Sequence, residues 1–151
     1  MTAAPCSAEA ARRARIAAAA AGWIGTPWRH GASLKGAGAD CLGVVRGVWR
    51  EVLGREPERL PPYAPDWAEA RREELLLQGM RRCFPEAPAA EVGDVLLLRM
   101  RGRGPATHLG VLIAGGDAPR MVHAFAGRGV VASSVGPGWL RRVTAVFVFP
   151  E

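Results

Sequence analysis

Cysteine, tyrosine and lysine are scarce in this chain of 151 residues. Its three cysteines, Cys6, Cys41 and Cys83, are too few and too unevenly spaced for a disulfide framework, and no CxxC pair opens a zinc site, so no metal site is expected. That usage suits a chain made in a reducing compartment, where one thiol reacts and the others are inert. No run approaches ~20 strongly apolar residues, which argues against a membrane span. Residues 16–21 come nearest to a secretory core but are mostly alanine, so no cleaved signal is expected, and work outside the cytoplasm would need another route of export. Internal repeats and the GxxxxGK[ST] phosphate loop are absent. The net charge of +6 and pI of about 10.5 come almost wholly from scattered arginines. Without a helix-turn-helix, zinc-finger or RNA-binding signature they read as a solvated basic surface suited to anionic polymers, not as a specific nucleic-acid groove.

What is present describes one domain. Hydrophobic residues make up 49% and charged residues 23%, and a chain of this length buries a real core. Residues 7–24 read as an alanine-rich helix with Ser7 as N-cap, ended by Gly25-Thr26-Pro27, and residues 28–39 as a glycine-bearing loop. A second helix spans 41–53, where Val44, Val45, Val48 and Val52 share a face and Gly54 ends the pattern. A proline-bearing linker leads to Asp66-Trp67-Ala68-Glu69, whose capping-box spacing opens a third helix reaching about residue 82. From Gly93 short apolar runs predict strands at 95–100, 109–114, 120–125, 130–133 and 142–149. Helices followed by strands in this segregated order predict an α+β domain with helices packed on a mainly antiparallel sheet of five or more strands.

The chemistry centres on Gly38-Ala39-Asp40-Cys41-Leu42-Gly43. Cys41 falls in the first turn of the second helix, where the positive end of the helix favours thiolate and offers donors to an oxyanion. On its own that position is better explained by a small buried residue where a helix meets a loop, so the histidines matter. His108 begins one predicted strand and His123 lies in the next, and a hairpin around Gly115-Gly116-Asp117 would set the imidazoles side by side. A thiol needs a base for its proton, and imidazole, with an ordinary pKa near ~6.5, needs a further polar group to fix its tautomer. Cys41, His108 and His123 fill those roles in order.

The ordered segments Gly25-Thr26-Pro27-Trp28-Arg29-His30-Gly31, Asp40-Cys41-Leu42-Gly43-Val44-Val45, Val92-Gly93-Asp94-Val95-Leu96, His108-Leu109-Gly110-Val111 and Val122-His123-Ala124 resemble the motifs of the NlpC-type, papain-like cell-wall cysteine peptidases. The resemblance covers residues 8–149 and is most like members from tailed phages and gene-transfer particles. It implies a papain-like fold, Cys41 as nucleophile, His108 as base and then acid, and His123 as the orienting residue. It further implies hydrolysis of peptidoglycan stem peptides, commonly between D-glutamate and a diamino acid, through a thioester and with no cofactor. Trp28, His30, Asp40 and Leu42 are expected around the substrate-binding or oxyanion region, Asp40 with a structural role at the helix start. Leu42 stands where the family usually has serine, and Trp28 where it has tyrosine. The alternatives are an inactive wall-binding tail protein, for which Trp28 is the argument, and a papain-like acyl or amide transferase. Made in the cytoplasm, the chain would act at the cell wall as part of a phage-like particle, with tail proteins as partners.

Overall fold

The computed structural model of the chain describes residues 4–57 and 74–151. The first helix, α1 (Ala4–Ala21), leads into a small ribbon of β1 (Ser33–Leu34) and β2 (Gly38–Ala39), and then into α2 (Cys41–Leu53). After α3 (Leu75–Cys83) come β3 (Glu86–Ala87), β4 (Val95–Leu98), β5 (His108–Ala114), β6 (Arg120–Phe125), β7 (Gly129–Ser134), the one-turn α4 (Pro137–Leu140) and β8 (Val143–Phe147). The strands β3 to β8 form a six-stranded sheet in the order β3-β8-β4-β5-β6-β7, antiparallel throughout. This is the expected α+β arrangement of helices on an antiparallel sheet.

The limits of the elements follow local chemistry. α1 begins before Ser7 and stops at Ala21, short of the expected residue 24, because the next amides turn inward: Trp23 and Ile24 donate to the carbonyls of Ala20 and Ala21, three residues back, and tighten the last turn. α2 has the expected bounds, with Asp40 as N-cap accepting from the Gly43 amide at 2.7 Å. The capping box at 66–69, with the start of the third helix, lies outside the described residues; the described helix ends at Cys83.

Two layers of side chains hold the sheet. On one face α1 and α2 bury Ile16, Trp23, Val44, Val45 and Val48 against Val95, Leu97, Leu109 and Val111. The other face carries a smaller cluster of Leu96, Leu98, Leu112, Met121, Val135 and Val146, with Trp139 and Met100 beside it. All four residues of β4 are therefore buried, which explains its continuous Val-Leu-Leu-Leu run. Arg13 fastens α1 to the approach to β4, donating to Asp94 Oδ1 at 2.7 Å and to the Val92 carbonyl at 3.1 Å.

Two close approaches set the angle of α2. A Cβ on Gly43 would lie 1.9 Å from the Ala32 carbonyl oxygen, and one on Gly47 would lie 1.8 Å from the Trp23 ring. Glycine lets the 28–39 loop and the end of α1 press directly on the helix backbone. The segment before that loop also covers the sheet edge: Val130 donates to the Thr26 carbonyl at 2.8 Å and Gly25 to the Val130 carbonyl at 3.0 Å. No helix among the described residues is long and apolar enough to cross a membrane.

Candidate active site

The N-terminus of α2 opens into a cavity of about 200 Å³ between the helix, the 28–39 loop and the ends of β5 and β6. Cys41, His108, Trp28, His30 and Asp40 line it together with Thr107 and Phe125. Cys41 is 6% exposed, and its Sγ lies 3.8 Å from the Thr107 carbonyl oxygen, a weak thiol contact that holds the sulfur beside the residue preceding His108.

Asp40 organises the rim. One carboxylate oxygen caps α2 through Gly43, while the other accepts from the Gly31 amide at 2.6 Å and lies 3.8 Å from His30 Nδ1. The carboxylate thus ties the loop bearing Trp28 and His30 to the turn bearing Cys41. A bridge between Trp28 and Ala39 and the Arg29 amide donating to the Ala39 carbonyl strap the loop down further. Leu42 is placed elsewhere. One residue along a helix is a rotation of about 100°, which carries its side chain away from the cleft and into the core.

His108 and His123 come from neighbouring strands. The register pairs Val111 with Val122, so the two histidines are diagonal neighbours on one face of the sheet, and their rings meet at 2.7 Å between His108 Nε2 and His123 Nδ1. His123 is fully buried behind His108, and its Nε2 lies 2.7 Å from the hydroxyl of Ser133 on β7. With Nε2 of His108 engaged by His123, Nδ1 is the ring nitrogen left for the cleft that His108 shares with Cys41. Phe125 and Trp139 stack on the His108 ring, at 5.4 Å and 6.1 Å between ring centres, and both also touch His123. Ser133 and Trp139 are the site residues that sequence reasoning missed; a serine in a strand and a tryptophan after a Gly-Pro-Gly turn give no chemical signal until the strands are paired.

Burial sets the protonation state of the pair. It lowers the pKa of His108 to about 3, with the neighbouring His123 ring adding to the effect, and that of His123 to about 4. Both imidazoles are neutral at pH 7, so His108 lines the cleft that it shares with Cys41 as an unprotonated imidazole. Among the described residues no group of three or more His, Cys, Asp or Glu side chains is placed to hold a metal ion.

No family model and no curated protein matches the chain. Solved structures do. A lipoprotein-like NLP/P60 family protein from Staphylococcus aureus superposes with a TM-score of 0.61 at 18% identity, over 93% of this chain and 42% of that one. An NlpC/P60 family protein from Bacillus cereus gives a TM-score of 0.61 at 18% identity, over 89% of this chain and 39% of that one. The fold is that of the NlpC/P60 proteins. This chain spans less than half the length of either.

Proposed function

We propose that this chain is a papain-like cysteine peptidase that hydrolyses amide bonds in peptidoglycan stem peptides, between D-glutamate and a diamino acid. The observation that carries the reading is the meeting, in one cleft, of a cysteine at a helix N-terminus with a buried His108–His123–Ser133 chain. The shared fold with NlpC/P60 proteins and the motifs in the sequence support the substrate class.

In this mechanism Cys41 Sγ attacks the scissile carbonyl carbon as its proton passes to His108 Nδ1. The oxyanion forms at the positive end of α2. His108 is then an imidazolium: it donates through Nε2 to His123 Nδ1, which requires His123 to carry its own proton on Nε2, directed at Ser133 Oγ. The stacked faces of Phe125 and Trp139 stabilise that cation in a site that otherwise disfavours charge. The carbon–nitrogen bond breaks, the amine leaves with the His108 proton, and a thioester remains on Cys41. Water, deprotonated by His108, then attacks the thioester and releases the carboxylic acid and the thiol.

Digestion of purified peptidoglycan, with fragments identified by mass spectrometry, tests the reading. Wild type is expected to release fragments with new amino termini inside the stem peptide. Cys41→Ala and His108→Ala are expected to lose at least ~1000-fold in rate while keeping the circular dichroism of the wild type. Fragments joined to an added amine would instead mark a transferase, and unchanged cleavage by Cys41→Ala would remove the proposal. The same reading places the chain at the wall as part of a tail-like particle.

A further inference from the structure

Charge is unevenly shared along the chain. Residues 95–150 hold seven arginines, no lysine and a single acidic residue, Asp117, so this stretch carries the whole formal net charge of +6 and the remainder is neutral. The same stretch supplies strands β4 to β8 and both His108 and His123, so the excess positive charge belongs to the sheet and its loops. A field of one sign around a cleft raises the local concentration of an anionic partner.

Two of those loops bank the cleft. The loop from β4 to β5 has Met100 and Thr107 in the cleft wall and Arg103, exposed, between them. The Arg99 guanidinium donates to the Gly104 carbonyl, and the Gly104 amide to the Arg101 carbonyl at 3.0 Å, which holds the loop in shape. The turn from β6 to β7 has Ala126 in the wall and Arg128 exposed two residues on. It packs on the segment leading to Trp28 and His30, where a Cβ on Gly129 would lie 2.6 Å from the Thr26 carbonyl oxygen. Arg29, exposed between two residues of the wall, stands on that segment. None of Arg29, Arg103 and Arg128 forms an ion pair among the described residues. The carboxylates that do reach these loops are engaged: Asp40 by the Gly43 and Gly31 amides, Glu74 by Arg99 and the Ala106 amide.

An exposed arginine–carboxylate pair gains only about two- to fivefold in binding, so one short peptide profits little from such a rim, whereas a polymer meeting several arginines at once multiplies the gains. Neither sheet loop carries an aromatic ring on which a nucleic-acid base could stack. A wall strand, by contrast, repeats stem after stem, each ending in a carboxylate. We propose that Arg29, Arg103 and Arg128 form a docking rim for the carboxylates of stems neighbouring the one in the cleft, so that the chain engages polymeric peptidoglycan in preference to a released stem peptide. The proposal rests on the reading of the chain as a stem-peptide peptidase, and its test separates the two.

Cys41→Ala protein is sedimented with purified sacculi between about 0.05 and 0.5 M NaCl, with sacculi whose carboxyl groups have been amidated with methylamine, and in competition with single-stranded DNA. Binding is expected to weaken at least ~10-fold across the salt range and to be lost on amidated sacculi. Adding Arg103→Gln and Arg128→Gln together lowers it about tenfold at the lowest salt. Arg15→Gln with Arg82→Gln removes the same charge from exposed positions on α1 and α3 and is expected to change it less than about twofold. Thermal melting checks that each variant folds. Equal losses in the two double variants, binding indifferent to salt, or undiminished binding to amidated sacculi overturn the rim, as does displacement from sacculi by micromolar DNA, which would mark a nucleic-acid surface. Binding that follows salt and the charges at 103 and 128 while wild type releases no fragments from the same sacculi upholds the rim and removes the peptidase reading. Release of fragments with binding indifferent to both removes the rim and leaves that reading standing.

Discussion

Ser133 shows how much of this site depends on single protons. The neutral His108–His123 pair has alternative tautomers, and the productive one needs an acceptor for the His123 Nε2 proton, which the Ser133 hydroxyl provides at 2.7 Å. Ser133→Ala is expected to lower kcat by about tenfold with little change in KM, and to change the nitrogen chemical shifts of the His123 ring. A merely structural serine would leave those shifts and the pH profile unchanged. The buried imidazoles also couple stability to pH. In the unfolded chain both bind protons below about pH 6.5, whereas in the fold His123 does so only near 4 and His108 near 3. The unfolded state therefore holds more protons through that interval. Unfolding free energy is expected to fall as the pH drops below about 6.5, by about 1.4 kcal/mol per pH unit for each extra proton, and to show no contribution from these rings above it. Urea titrations of wild type and His123→Asn between about pH 4 and 7 read this as a smaller slope in the variant. Cys41, His108 and His123 were legible in the sequence because thiol and imidazole are rare and chemically marked. Ser133 and Trp139 were not, because what brings them to the histidines is which strand lies beside which.

At the scale of elements, α2 is the part best specified by local sequence. Its valine spacing, its aspartate cap and Gly54 agree on the same start and end, and the structure has both. Its placement is set by contacts that periodicity does not report. Gly47 faces the ring of Trp23, and a methyl group there would push apart the two helices that carry the core. Gly47→Ala is expected to cost about 2 kcal/mol or more in stability, measured by chemical denaturation. Activity should fall as well, because α2 carries Cys41 and β5 carries His108, and the two must keep their separation. The short elements were illegible for a different reason. β1, β2 and β3 have two residues each, and α4 is a single turn. None is long enough to show a period, so long-range pairing decides them.

For the molecule as a whole, the order of helices and strands in the sequence was enough to give an α+β fold, because segregated elements leave few other ways to bury both faces of β4. What the sequence left open was convergence: whether a helix end and two strands, far apart along the chain, aim at one place. The structure brings them to a single cleft. The proposed reaction passes through an acyl group on Cys41. Intact-protein mass spectrometry after acid quenching a reaction with a synthetic stem peptide reads that group directly. A mass increase equal to the acyl half of the peptide is expected, mapped to Cys41 and absent from Cys41→Ala. Turnover without the adduct, together with cleavage by Cys41→Ala, would contradict it.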